Sequence, residues 1–209
     1  MTDIYRYVVR YDSGTAPRPF GAVCSLAICK PMIRRRAKPG DWVVGFRSRR
    51  PGEVLYAMQV TETMPLGDYW EDARFDDRKP GRSRIPDNFY RRSRANELVQ
   101  VRNAVHPPAE AAKDIRGRNV LLGERFWYFG DRSVLLPNHL LHLVHTTQGH
   151  SVHCNRRARD VEALEAWLDT WTPGIHGAPV DASAGIDEET RTAKSCGTCD
   201  TPPKHPACA

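Results

Sequence analysis

The sequence predicts an α+β fold, and three observations carry that expectation. Residues 37–62, AKPGDWVVGFRSRRPGEVLYAMQVTE, read as a hairpin of two apolar strands, with turn residues flanking β-branched and aromatic runs. Residues 160–171 put Val161, Leu164, Trp167, Leu168 and Trp171 on one helical face. Residues 119–130, NVLLGERFWYFG, form a strand signal dense in aromatics. With 209 residues, 40% of them hydrophobic and 27% charged, the chain can bury one core and still carry appendages.

The elements follow in order. Ile4–Tyr11 alternates as a first strand, and Asp12–Pro19 is a loop holding Ser-Gly and two prolines. Ala22–Lys30 is apolar and fits either a buried strand or a short helix. In the hairpin, Pro39-Gly40-Asp41 launches Trp42–Phe46, the basic Arg47–Gly52 segment turns the chain, and Val54–Val60 returns it. Pro65–Trp70 starts a short helix. Glu71–Arg94 is a charged insertion broken by Pro80, Gly81 and Pro86, and an insertion of this length is a candidate functional loop. Glu97–Val105 returns to a strand pattern, and Pro107–Asp114 can open a helix with proline in its first turn. In Phe126-Trp127-Tyr128-Phe129, neighbours on a strand point to opposite faces. Pro137–Val144 is apolar. Asp160 is the expected N-cap of the last helix, which Pro173-Gly174 ends. Beyond it, Ala, Gly, Pro, Ser and Thr dominate. The expected division is a domain over 1–175 and a disordered tail over 176–209.

The order of basic segment, Gly-Asp turn, strand, loop and strand resembles the small β-barrels of the EVE and PUA-like class, which hold a flipped or modified base. That resemblance implies a small barrel with flanking helices. A second set of motifs runs through the chain: Tyr7-Val8-Val9-Arg10-Tyr11-Asp12-Ser13-Gly14, Pro19-Phe20, Cys29-Lys30-Pro31-x-Ile33-Arg34, Gly40-Asp41-Trp42, Tyr56-Ala57-Met58-Gln59-Val60-Thr61, Asp87-Asn88-x-Tyr90 and Tyr128-Phe129-Gly130. In this order, over about residues 4–150, they resemble the nucleotide modification associated domain 2 family of bacteria and their phages. The resemblance implies a role in DNA or nucleotide base modification, alongside partner enzymes of a modification operon. It points to no particular reaction or cofactor.

Charge agrees with a polyanionic partner. Lys and Arg number 31 against 25 Asp and Glu, a net charge of +6. Between Lys30 and Arg50, Lys30, Arg34, Arg35, Arg36, Lys38, Arg47, Arg49 and Arg50 face one acid, Asp41. No apolar run is long enough to cross a membrane, and the first residues lack signal-peptide architecture, so a cytoplasmic protein is expected. Six cysteines in such a chain do not read as a disulfide framework, and Cys24 and Cys29 are expected to be small core residues.

The candidate contacts to a nucleic acid or nucleotide are Lys30, Arg34, Arg35, Trp42, Tyr56, Asn88, Tyr90 and Tyr128. Arginine suits bidentate phosphate contact, and lysine offers a point charge. Asn88 can read a base edge, and Trp42, Tyr56, Tyr90 and Tyr128 can stack on one. The same residues also allow bland readings: an ion pair of Asp41 with Arg34, or an Asx turn at Asp87-Asn88. An enzyme of base modification is the alternative, with Asp12, Asp41, Asp87 and His106 as acid–base groups. A structural partner protein without any pocket is the third. The expected slot lies between the Gly40–Val60 hairpin and the loop Asp87–Tyr90. That placement brings Asp87, Asn88 or Tyr90 within reach of Trp42 or Asp41.

Metal ligation has two candidate segments. His139, His142, His145, His150, His153 and Cys154 crowd together, but no acidic residue lies between His139 and Cys154 and the spacing matches no tight ligand pair. Cys196, Cys199, His205 and Cys208 could make a zinc knuckle, within a segment that offers no core. The expectation is therefore no metal. Walker loops, GxGxxG, GxSxG and zinc-deaminase signatures do not occur in the sequence.

Overall fold

The computed structural model describes residues 2–147, 149–154 and 158–182. Its strands are β1 (Asp3–Val9), β2 (Cys24–Leu26), β3 (Trp42–Arg47), β4 (Glu53–Gln59), β5 (Glu62–Pro65) and β6 (Tyr90–Arg92). They continue with β7 (Leu98–Gln100), β8 (Asn119–Gly123), β9 (Phe126–Tyr128), β10 (Val134–Leu135), β11 (His150–Cys154) and β12 (Gly174–Ile175). The helices are α1 (Pro31–Arg36), α2 (Leu66–Glu71), α3 (Ala111–Ile115) and α4 (Arg159–Leu168). The fold is α+β, as the sequence implies.

Two sheets make the body. The larger runs β11-β1-β3-β4-β9-β12, with β10 on the far end of β4; the smaller runs β2-β8-β5. The predicted hairpin is β3 and β4, paired antiparallel from Trp42↔Gln59 to Phe46↔Val54 with an irregularity after Gly45. β1 adds parallel to β3, with Tyr7 opposite Gly45.

Alternation then sorts the side chains into layers. Ile4, Trp42, Val44, Phe46 and Trp127 face Leu140, Leu143, Leu164 and Leu168, the cover supplied by α4 and the 3-10 helix Asn138–Leu143. Tyr5, Tyr7, Val43, Tyr56, Met58 and Tyr128 face the other way, against Cys24, Leu26 and Leu121 of the smaller sheet. The opposite face of that smaller sheet, Val120 and Leu122, packs on Leu66, Tyr69, Phe75, Phe89 and Tyr90. The charged insertion therefore has its own core, which its low hydrophobic periodicity conceals.

The expected EVE or PUA-like barrel does not close among the described strands. The chain leaves the large sheet at Gln59 and enters the small one at Glu62, and it returns through Gly123–Phe126. The corner is held by Gln59 N–H donating to the Arg125 carbonyl (3.0 Å) and Thr61 N–H to the Leu122 carbonyl (2.8 Å). Two sheets meeting at such a corner make an open sandwich.

Two boundaries shift. The last helix begins at Arg159, and Asp160 sits in its first turn without capping it. Packed structure also continues past Ile175. His176 N–H donates to the Tyr128 carbonyl (2.8 Å), Asp131 N–H to the Ala178 carbonyl (2.9 Å) and Asp181 N–H to the Asp12 carbonyl (2.8 Å). Most of the predicted tail, with Cys196, Cys199, His205 and Cys208, lies outside the described residues.

Candidate nucleotide-binding site

One register line crosses the large sheet. His150 pairs with Tyr7, Tyr7 with Gly45, Gly45 with Tyr56, and Tyr56 with Tyr128. Residues directly opposite one another share a face, so three tyrosines and a histidine point into the space between the sheets. The Tyr7 and Tyr56 hydroxyls are 2.8 Å apart. Gly45 supplies the room: a Cβ there would stand 2.6 Å from Tyr56 Cδ1 and 2.9 Å from Val9 Cγ2. Lys30 enters this layer from a sharp turn in which Cys29 (φ 57°) and Lys30 (φ 43°) are both left-handed. Such backbone is costly for residues with a side chain and collects at functional positions. The turn puts the Lys30 ammonium 4.5 Å from the centre of the Tyr7 ring.

At the edge where β1 meets β11, cations gather. Arg6 is buried, donates Nη1 to the His142 carbonyl at 3.2 Å, and leaves Nε without a partner. His145 Nδ1 lies 3.1 Å from Ser151 Oγ, and its buried Nε2 also has no partner. Burial, then the charges of Arg6 and Lys30, hold the His145 imidazole below its ordinary range. Burial, Lys30, Arg36 and His145 push His150 down to about 4. No described carboxylate forms an ion pair with Arg6, His145 or His150.

The outer face of the smaller sheet carries two further buried polar groups. Asp87 takes the Ser25 hydroxyl, the Tyr69 hydroxyl at 3.1 Å and Arg18 at 3.9 Å, while Arg78 reaches Ser25 Oγ at 2.8 Å. Burial raises the Asp87 carboxyl in spite of Arg78 and Arg18. Asp114 accepts Cys29 N–H (2.7 Å) and the Tyr90 hydroxyl (3.0 Å), and His106 Nε2 lies 2.7 Å from it. Burial works against the Asp114 charge, but His106 and Arg34 outweigh it and keep the carboxyl below its usual range. Nearby, a cleft of about 390 Å³ opens between Pro80–Pro86 and Arg102–Val105, with exposed Arg84 and Arg102 on its rim.

The predicted residues divide accordingly. Lys30, Tyr56, Tyr128 and Asp12 are brought into one layer, with Tyr128 donating to both Asp12 oxygens. Arg35 is exposed. For five residues the structure corrects the expectation. Arg34 is fully buried, donates to the carbonyls of Cys29, Ala27, Asn119 and Asp114 and pairs with the Asp114 carboxylate at 3.7 Å, so it does not reach an outside phosphate. Trp42 lies on the opposite face of the large sheet, stacked on Trp127 at 6.0 Å, and cannot share a wall with Tyr56. Asn88 donates to the carbonyls of Tyr69 and Phe75, and Tyr90 to Asp114, both behind the smaller sheet. Asp41 ties its turn by accepting from Asp3 N–H at 2.9 Å and Lys38 N–H at 3.0 Å.

The slot between the hairpin and Asp87–Tyr90 is thus absent among the described residues, because a whole sheet separates them. Of the four acid–base candidates, Asp41 pairs with Lys38 at 3.5 Å, Asp87 with Arg18 at 3.9 Å and His106 with Asp114 at 2.7 Å, while Asp12 accepts the Tyr128 hydroxyl. The basic stretch is divided as well: α1 carries Arg35 and Arg36 to one end of β3, and Arg49 and Arg50 follow its other end. Sequence reading missed Arg6, Tyr7, His145 and Asp114. Arg6 and Tyr7 stood inside an ordinary strand pattern, and His145 inside a histidine run read only for metals.

The fold is an α+β sandwich with Lys30 and a row of tyrosines between its sheets and Arg6 on the opposite face of the larger one. The chain belongs to the nucleotide modification associated domain 2 family, whose model matches residues 1–185. No curated protein and no solved structure matches it. The family ties the chain to nucleotide modification. No described helix is long and apolar enough to cross a membrane.

Proposed function

We propose that this domain is a nucleotide- or nucleic-acid-binding module of a base-modification system, and that it takes the phosphate of its ligand at the β1–β11 edge. The observation that supports this is the pair Arg6 and His145, which lie with Ser151 on the α4 face of β1 and β11, while Lys30 and His150 add positive charge from the Tyr7 face of the same edge. Buried charge is normally paired. Here the guanidinium Nε of Arg6 and Nε2 of His145 are buried donors or acceptors without partners, and no described carboxylate answers them. An anionic oxygen would satisfy both. Lys30, on the tyrosine face of the same edge, and exposed Arg35 and Arg36 extend the positive field outward.

The test is titration of the full chain with mononucleotides and with plain and modified oligonucleotides at several salt concentrations. Arg6→Ala and His145→Ala should each weaken binding, and Arg6→Ala should reduce the salt slope by about 1. Arg84→Ala/Arg102→Ala should leave affinity unchanged. The opposite pattern would move the ligand to the cleft.

An enzymatic reading has one favouring observation, the His106–Asp114 contact at 2.7 Å beside that cleft. Turnover of a bound nucleotide that disappears in His106→Gln, with binding retained, would decide for it.

A further inference from the structure

His142, His153 and Asp160 lie on three different elements and meet in the fold. His142 lies on the 3-10 helix Asn138–Leu143, His153 on β11, and Asp160 in the first turn of α4. Their ligating atoms all fall within 4.8 Å of one another. His153 Nε2 is 2.7 Å from one Asp160 oxygen, and His142 Nε2 is 3.3 Å from the other. The rings stand 5.7 Å apart at 59°, so both present the same nitrogen to one point from different directions.

We propose that these three side chains bind one divalent cation of the borderline class, zinc or a neighbouring first-row metal. Two imidazoles and a carboxylate are the donor set such ions prefer over magnesium or calcium. Donors at about 2.1 Å from a metal, held at tetrahedral or octahedral angles, stand about 3.0–3.4 Å from each other; the two His–Asp distances, 2.7 and 3.3 Å, lie near this range, and all the ligand atoms lie within 4.8 Å. A neutral imidazole with its hydrogen on Nδ1 offers its Nε2 lone pair to the cation. The Arg6 contact to the His142 carbonyl, at 3.2 Å, fixes the backbone of one ligand.

Three protein ligands leave coordination positions open, so water or an anionic ligand atom completes the shell. The mechanical effect follows from placement. The ion would clip β11, the outer strand of the large sheet, to the helix and 3-10 turn that cover it. Histidine spacing in the sequence gives no hint of this, because the acid that completes the set lies beyond Cys154.

The experiment uses the full chain carrying Cys196→Ser, Cys199→Ser, His205→Ala and Cys208→Ser, which removes the other candidate segment's ligands. Cobalt(II) is added to metal-stripped protein, and visible absorption and thermal melting are followed. The proposal expects one equivalent of cobalt with a nitrogen–oxygen spectrum and no thiolate charge-transfer band, and a rise in melting temperature. It expects both to be lost in His142→Ala and in Asp160→Asn. An Arg159→Ala control should bind as the parent does. Equal binding by the parent and the His142→Ala variant, or no binding by either, would overturn it and leave an ion triad only.

Discussion

Tyr128 donates its hydroxyl to both carboxylate oxygens of Asp12, at 2.8 and 2.7 Å, and so ties the loop after β1 to β9. The same carboxylate accepts Val180 N–H at 3.1 Å, and Asp12 N–H donates to Asp181 at 2.9 Å. One buried acid therefore gathers three distant segments. A chain ending at Ala182 should melt like the full-length protein. A chain ending at Ile175 should lose about 1–3 kcal/mol, because buried partners are left unsatisfied. Equal melting of the two truncations would show the clasp to be dispensable.

Burial raises the Asp12 carboxyl above its ordinary value, although Tyr128, Val180 and Gly14 donate to it. A raised folded-state value means that the folded chain keeps a proton that the unfolded chain releases. The contribution of this group to stability thus falls as pH rises from about 4 through the raised value. Asp12→Asn should cost less at neutral pH than near pH 4. Urea midpoints of both proteins across that range measure the difference.

His150 behaves in the opposite sense. Its value is depressed to about 4, first by burial and then by Lys30, Arg36 and His145. The folded chain therefore binds fewer protons there than the unfolded one, and stability drains away as pH falls from about 6.5 toward 4. His150→Gln should flatten the acid side of the stability profile while leaving the profile above pH 7 parallel to the parent. A bound phosphate at the edge should also shift the His150 titration upward, which histidine NMR would detect.

Arg34 and Arg35 are neighbours with opposite destinies. Arg34→Ala should cost about 3–5 kcal/mol, since it strands Asp114 and four carbonyls in the interior. Arg35→Ala, at an exposed position, should stay within about 0.5 kcal/mol. Denaturant unfolding of both variants checks this. A mild Arg34→Ala would contradict the structural role.

Gly45→Ala should cost about 1–3 kcal/mol, because the methyl group meets the Tyr56 ring and a packed core resists added volume. Tyr56→Phe should be milder, as the ring stays in place and only the hydroxyl contact to Tyr7 is lost. Reversed order in melting temperature would mean that the ring moves aside freely.

The hairpin was legible in the sequence, and so was the two-faced aromatic strand, because period-2 alternation and turn residues report directly on local geometry. The interior of the insertion was not. Phe75, Phe89 and Tyr90 stand among charges, and burial there depends on α2 and β8 folding over them. Arg34 looked like a phosphate ligand because an arginine in a basic run is normally solvated. Its burial depends on Gly117, which leaves space that a Cβ would deny the guanidinium. Lys30, Tyr56 and Tyr128 stood out because aromatic and basic residues carry their chemistry in their identity. Which face each one occupied required the register.

The pairing of β1 with β11 has a consequence for biosynthesis. β1 is made first, yet one of its edges finds its partner only when His150–Cys154 has been made. Until then the nascent chain exposes an open strand edge, and an open edge invites pairing with another chain. Arg6 lies in the middle of that strand and Arg10 just past its end, and charges so placed discourage such encounters while the ribosome completes the rest.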